Sequence, residues 1–117
     1  METLDLAKVK KFLESFAQQR GWEQFHDPKN LAMALTVESA ELLELFQWLR
    51  PEQGYNYKNK DKEKVEDELA DIILYAIRMS SQLDINLVDA IEKKMKKNEM
   101  KYPIEKSQNI AKDLTGF

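Results

Sequence analysis

Apolar residues recur along most of this chain at steps of three and four, the spacing of one face of an α-helix. Leu6, Val9, Phe12, Leu13 and Phe16 predict a first helix over about Asp5 to Arg20, with Gly21 as its stop. Asp27-Pro28 is a start signal, an N-cap followed by proline at the first helical position. The helix it opens carries a seam of Leu31, Leu35, Leu42, Leu45 and Leu49 and runs to about Leu49. Arg50-Pro51 ends it, because proline disfavours helix in the residue before it. Residues 51–61 have no period and read as a surface loop. A third helix spans about Lys62 to Leu83, with Val65, Leu69, Ile72, Ala76, Met79 and Leu83 as its seam. Asn86 caps a fourth, which runs to about Met100 with Leu87, Ile91 and Met95 inward. Pro103 closes that helix. The expected fold is all-α, a protomer of four-helix-bundle type occupying residues 1–103, with 104–117 as a polar tail.

Three places break the pattern. In the second helix the seam has one gap, and Glu38 fills it. A carboxylate in a core slot is costly unless something pairs with it. Glu41 follows one turn later, its Cβ about 5–6 Å from that of Glu38, and like charges that close raise the cost further. Glu68 and Asp71 repeat the spacing on the third helix, where they flank the seam together with Tyr75. In a chain that is 33% charged such pairs are also found on solvated faces. Four carboxylates turned to one interior, however, require a cation, and oxygen ligands suit a hard divalent metal. The second break is Ile72 to Ile77, apolar on nearly all sides. One 117-residue copy can hardly surround it, so the chain is expected to oligomerise. The third is Trp22-Glu23-Gln24-Phe25-His26, three ring residues in a five-residue connector. It is either a plug of core or the wall of a pocket for a planar ligand.

Composition narrows the chemistry. There is no cysteine, so disulfides and thiolate ligands are excluded, in keeping with a reducing cytoplasm. His26 is the sole histidine, which leaves neither an imidazole zinc site nor the Glu-x-x-His pairs of di-iron bundles. All-oxygen ligation favours Mg²⁺, with Mn²⁺ as a substitute. The glycines, at 21, 54 and 116, are too dispersed for a phosphate loop. A net charge of −3 does not suit binding to DNA or RNA polymers. No apolar run approaches the roughly 20 residues of a membrane span, and Met1 to Lys11 has no apolar export core.

Taken together, Trp22 to His26, Asp27 to Leu31, Glu38-x-x-Glu41 with Leu42 and Glu44, Phe46-Gln47-Trp48, Glu68-x-x-Asp71 with Tyr75, and Lys94-Met95 through Tyr102-Pro103 resemble the MazG-like all-α nucleoside triphosphate pyrophosphohydrolases, in particular their dCTP pyrophosphatase branch. The resemblance covers about residues 22–103. Ser39-Ala40 departs from the glycine-containing family pattern, but Ala40 keeps a small side chain. The resemblance implies a homo-oligomer, tetrameric in this branch, and cleavage of a nucleoside triphosphate to the monophosphate and pyrophosphate. It implies Mg²⁺ held by Glu38, Glu41, Glu68 and Asp71, and a nucleotide contacted by Trp22, His26, Trp48 and Tyr75. Lys94, Asn98 and Lys101 would serve the phosphates, and Glu41 or Glu44 would take a proton from the attacking water. A tight sugar pocket would favour dCTP or a modified pyrimidine deoxynucleotide. The reading from another class is a non-catalytic helical module that binds a partner through its seams, which leaves Glu38 unexplained.

Overall fold

The computed structural model describes residues 2–54 and 59–107. These form six α-helices and no strand: α1 (Leu6–Gln19), α2 (Pro28–Glu44), α3 (Pro51–Gly54), α4 (Asn59–Gln82), α5 (Leu87–Lys101) and α6 (Ile104–Ser107). The all-α expectation is met.

Local chemistry accounts for the boundaries. Asp5 caps α1 by accepting from the Lys8 amide at 3.1 Å. At the other end Gly21 takes φ +66°, a left-handed conformation that costs glycine little. The amides of Gly21 and Trp22 then return to the carbonyls of Gln18 and Ala17, closing the last turn and folding the connector back. A 3₁₀ turn, Glu23–Phe25, follows. Asp27 accepts from the Asn30 amide at 2.8 Å, while the Asn30 side chain donates to the Phe25 carbonyl at 3.0 Å. One asparagine thus ties the ring-rich connector to the start of α2.

Helix α2 stops at Glu44, five residues short of the expected Leu49. The amides of Leu45, Phe46 and Leu49 bond three residues back rather than four, so the chain tightens into turns before Pro51. Instead of a loop from 51, Pro51 opens the short α3, with the Gln53 side chain accepting from the Arg50 amide at 2.9 Å. Helix α4 begins at Asn59, earlier than the sequence pattern suggested; residues 55–58 lie outside the described residues. It ends before Asp84, whose φ of 53° is a tolerated left-handed turn for a short polar side chain. Asn86 caps α5 as expected, accepting from the Asp89 amide at 3.1 Å. Within the expected tail, 104–107 is helical and 108–117 lies outside the described residues.

Residues up to Asp84 form one compact unit and residues from Ile85 a second. In the first, α4 packs chiefly on α2 and also on α1. Ala17, Leu31 and Ile77 are its buried apolar centre. The apolar stretch of α4 is covered on only part of its circumference: Ile77 is buried, whereas Leu69 and Ile73 are about half exposed. Met33 and Val37 on α2 are likewise about half exposed. In the second unit Leu87 is half-buried, but Ile91 and Met95, expected to face inward, are more than half exposed in a single chain.

Candidate active site

Two features meet on α4. The first is a carboxylate group shared with α2. One carboxylate oxygen from each of Glu38, Glu41 and Glu68 lies within 4.8 Å of the other two. One oxygen each of Glu38 and Glu68 is buried with no hydrogen-bond partner. Two ionised carboxylates have no proton to share, so without a cation the protonated form of one is favoured. The Glu38 carboxyl is accordingly pushed up to about 7, first by its hydrogen-bonded approach to Glu68, then by burial and by Glu41. The orphaned buried oxygens and the all-oxygen donor set fit a hard divalent cation.

The second feature is a cavity of about 290 Å³ in the first unit. Phe12, Leu13 and Phe16 of α1 form one wall. Trp22 and His26 of the connector form another, their rings 6.2 Å apart and tilted, with Trp22 edge-on to Phe16 at 5.8 Å. Asp71, Leu74, Tyr75 and Arg78 of α4 complete it. The connector is therefore a pocket wall rather than a plug of core. Trp22 remains 45% exposed, so its ring is available to a ligand.

Tyr75 joins the two features. It lines the cavity, and its hydroxyl is raised by burial and then by the charges of Glu38, Asp71 and Glu41. Glu68, Asp71, Tyr75 and Arg78 follow one another on α4 at steps of three, four and three, a single stripe running from the carboxylates to the rings.

The other residues named from the sequence fall as follows. Asp71 lines the cavity and is not in the three-carboxylate group. Glu44, the last residue of α2, is exposed and also outside that group. Trp48 is 86% exposed and does not line the cavity. Helix α2, expected to run to Leu49, ends before it, so Trp48 sits in the turns that follow. Lys94, Asn98 and Lys101 share one face of α5, in the second unit, by their spacing. Lys94 and Lys101 are exposed, and Lys101 lies over the Tyr102 ring at 5.3 Å. The Asn98 side-chain oxygen is buried without a hydrogen-bond partner.

Sequence reasoning missed Arg78. It is 5% exposed, and its Nε–H donates to His26 Nδ1 at 3.2 Å. The signal was present: one arginine three residues beyond Tyr75, in an otherwise apolar run.

A helical scaffold carrying paired carboxylates on two adjacent helices beside a ring-lined cavity defines a class, and residues 33–117 match the MazG-like family. The chain belongs to that family. It is 35% identical over 108 residues to dCTP pyrophosphatase 1 of Rattus norvegicus, covering 91% of this chain and 64% of the relative. The human dCTP pyrophosphatase 1 is 32% identical over 112 residues, 94% of this chain and 66% of that protein. The chain thus spans just under two thirds of the length of these relatives. A crystal structure of a pyrophosphatase from Archaeoglobus fulgidus superposes with a TM-score of 0.80 at 38% identity, covering 88% of this chain and 96% of that one.

Proposed function

We propose that this protein hydrolyses a nucleoside triphosphate to its monophosphate and pyrophosphate, with dCTP or a modified pyrimidine deoxynucleotide as substrate, in cytoplasmic clearance of the nucleotide pool. The observation that carries the reading is the junction at Tyr75 between the carboxylate group and the ring-lined cavity. A triphosphate needs a charge-neutralising end and a nucleoside an apolar one, and here they share one helix. The dCTP pyrophosphatase 1 relatives and the archaeal pyrophosphatase support the reaction type.

Glu38, Glu41 and Glu68 would hold Mg²⁺, or Mn²⁺ in its place, with Asp71 completing the set from the cavity side. Such a cation would neutralise phosphate charge and lower the pKa of a bound water toward neutrality. The residues of the chain do the rest. Trp22 offers a face for stacking, and His26, held by Arg78, presents a fixed edge to the nucleoside. Glu41 stands with the ligands, and one of its oxygens left free of metal would accept the proton of the attacking water. The exposed Glu44 is the second candidate for that proton. Lys94, Asn98 and Lys101 are the residues we assign to the phosphates. Attack at the α-phosphorus breaks the bond to the bridging oxygen, and pyrophosphate leaves.

The half-exposed apolar pairs Met33 with Val37 and Leu69 with Ile73, each at a spacing of four, support assembly into a homo-oligomer, with a tetramer favoured. A chromatographic screen of the eight common nucleoside triphosphates with Mg²⁺, resolving monophosphate and pyrophosphate, tests the activity. Release of single phosphate, or no turnover of any nucleotide, refutes it.

A further inference from the structure

Arg78 is the buried charged residue of the described chain. Arg50 pairs with Glu52 and Lys93 with Asp89, and among the described residues no carboxylate pairs with Arg78. Its one hydrogen bond uses Nε, to His26 Nδ1. A guanidinium has five N–H donors in a planar fork, and those on its terminal nitrogens have no protein acceptor among the described residues. Taking a cation out of water is costly unless its donors are met. The terminal nitrogens of Arg78 are not among the buried atoms left without a partner, so they meet solvent where Arg78 lines the cavity, and a molecule that displaces this solvent has to supply their acceptors.

The same contact fixes the histidine. Because Nδ1 accepts from Arg78, the proton of neutral His26 sits on Nε2. Burial and the neighbouring Arg78 charge both keep the ring neutral. The Gln82 side chain donates to the His26 carbonyl at 2.8 Å and holds the connector in place. Both residues line the cavity, and the polar groups that this contact leaves unused are all donors: the terminal N–H groups of Arg78 and the Nε2–H of His26.

The geometry points to Arg78 as the residue that selects the base, its fork donating in the base plane to two adjacent acceptors, the O2 and N3 of cytosine. This rests on the nucleotide reading above. Uracil and thymine place an N3–H donor against the fork, and adenine places its amino group beside its ring acceptor. Guanine offers a comparable pair at O6 and N7, but about 290 Å³ lies at the small end of ligand sites, near the lower bound of about 300 Å³, which favours a pyrimidine.

The test measures kcat/KM of the full chain with Mg²⁺ on dCTP, dTTP, dGTP and an abasic deoxyribose 5′-triphosphate, for the unmodified protein, Arg78→Met and Arg78→Lys. Arg78→Met should lower kcat/KM for dCTP about tenfold or more through KM, the loss of one bidentate base contact. It should bring dCTP and dTTP to within about twofold, with a clearly smaller loss on the abasic compound than on dCTP, because that compound never uses the fork and can lose only what Arg78 does through His26. Arg78→Lys, which keeps the charge without the fork, should also lose the preference. An equal loss on all substrates including the abasic one, or an unchanged ratio of dCTP to dTTP, overturns the assignment, as does an Arg78-dependent preference for dGTP. Should Arg78→Met not fold, 3-deaza-dCTP on the unmodified protein gives the answer: a loss of about tenfold against dCTP is expected, and equal use refutes it. If no nucleotide is hydrolysed at all, the activity is refuted separately. Quenching of tryptophan fluorescence by dCMP, tighter than by dTMP in the unmodified protein but not in Arg78→Met, then decides the role of Arg78, and equal binding overturns it.

Discussion

Glu38→Gln separates the needs of the site from those of the fold. In the metal-free protein the Glu38 carboxyl rises from 4.5 to about 7. A raised folded-state value means that the fold favours the protonated form. Its stabilising contribution is present below about pH 4.5 and is lost as pH rises through about 7. Each tenfold change in the proton equilibrium is worth about 1.36 kcal/mol, which sets a ceiling of about 3.4 kcal/mol. Glu38 is only half-buried, and solvent screening brings that to about 1–2 kcal/mol. Glutamine keeps the shape and stays neutral at every pH, and its Nε2 can donate to the orphaned Glu68 oxygen. Metal-free Glu38→Gln should therefore melt at least about 4 °C higher than the unmodified protein at pH 8, at about 4–8 °C per kcal/mol for a domain near this size. The two should converge near pH 5. Scanning calorimetry in EDTA across pH 5–8 reads this directly. Adding Mg²⁺ should reverse the order, raising the unmodified protein and not the variant, and nucleotide hydrolysis by the variant should fall by about a hundredfold or more. A melting gap independent of pH, or full activity in the variant, refutes the reasoning.

Trp22→Ala should raise KM for the best nucleotide about tenfold, the lower part of the roughly 1–3 kcal/mol range for base stacking, with Mg²⁺ binding by calorimetry unchanged. His26, as the sole histidine, gives one imidazole resonance; its NMR titration should have a midpoint below 6.5 and move upward in Arg78→Met, because one of the two causes of the lowering is gone. Ile73→Glu should shift the protein to smaller species in sedimentation velocity, since a charge on a half-exposed apolar face opposes burial by a second copy; an unmodified protein already monomeric at micromolar concentration contradicts the oligomer.

What the sequence revealed, and what it hid, divides along the range of the interactions. The caps at Asp27 and Asn86 and the stop at Gly21 are local devices, so their residues announced them. The gap in the leucine seam disclosed Glu38 because burial of a charge shows as a broken period. The early end of α2 did not show, because Leu45 and Leu49 keep the apolar rhythm while the backbone tightens toward Pro51. Arg78 was hidden for the opposite reason: its role depends on His26, 52 positions away, and no periodic signal connects a connector to the end of a later helix. Trp48, within the helix expected to reach Leu49, lies instead in the turns that follow α2. Its ring is a short-range feature of a turn, outside the cavity that holds Trp22.

The stripe on α4 works as a ruler. Glu68 and Arg78 are ten residues apart on one unbroken helix, so backbone rise alone fixes about 15 Å between the carboxylate end and the base end. Length and facing are set by the same ten residues. Inserting one residue between Asp71 and Tyr75 would advance the far half by only about 1.5 Å but turn it by about 100°, swinging Tyr75 and Arg78 away from the cavity while Glu68 stays beside Glu38. Added residues in the turns after Glu44 leave that register untouched. Laboratory libraries of insertions should therefore find two kinds of ground in one small chain: connectors that accept length freely, and a stretch of α4 that tolerates replaced side chains better than a single added residue.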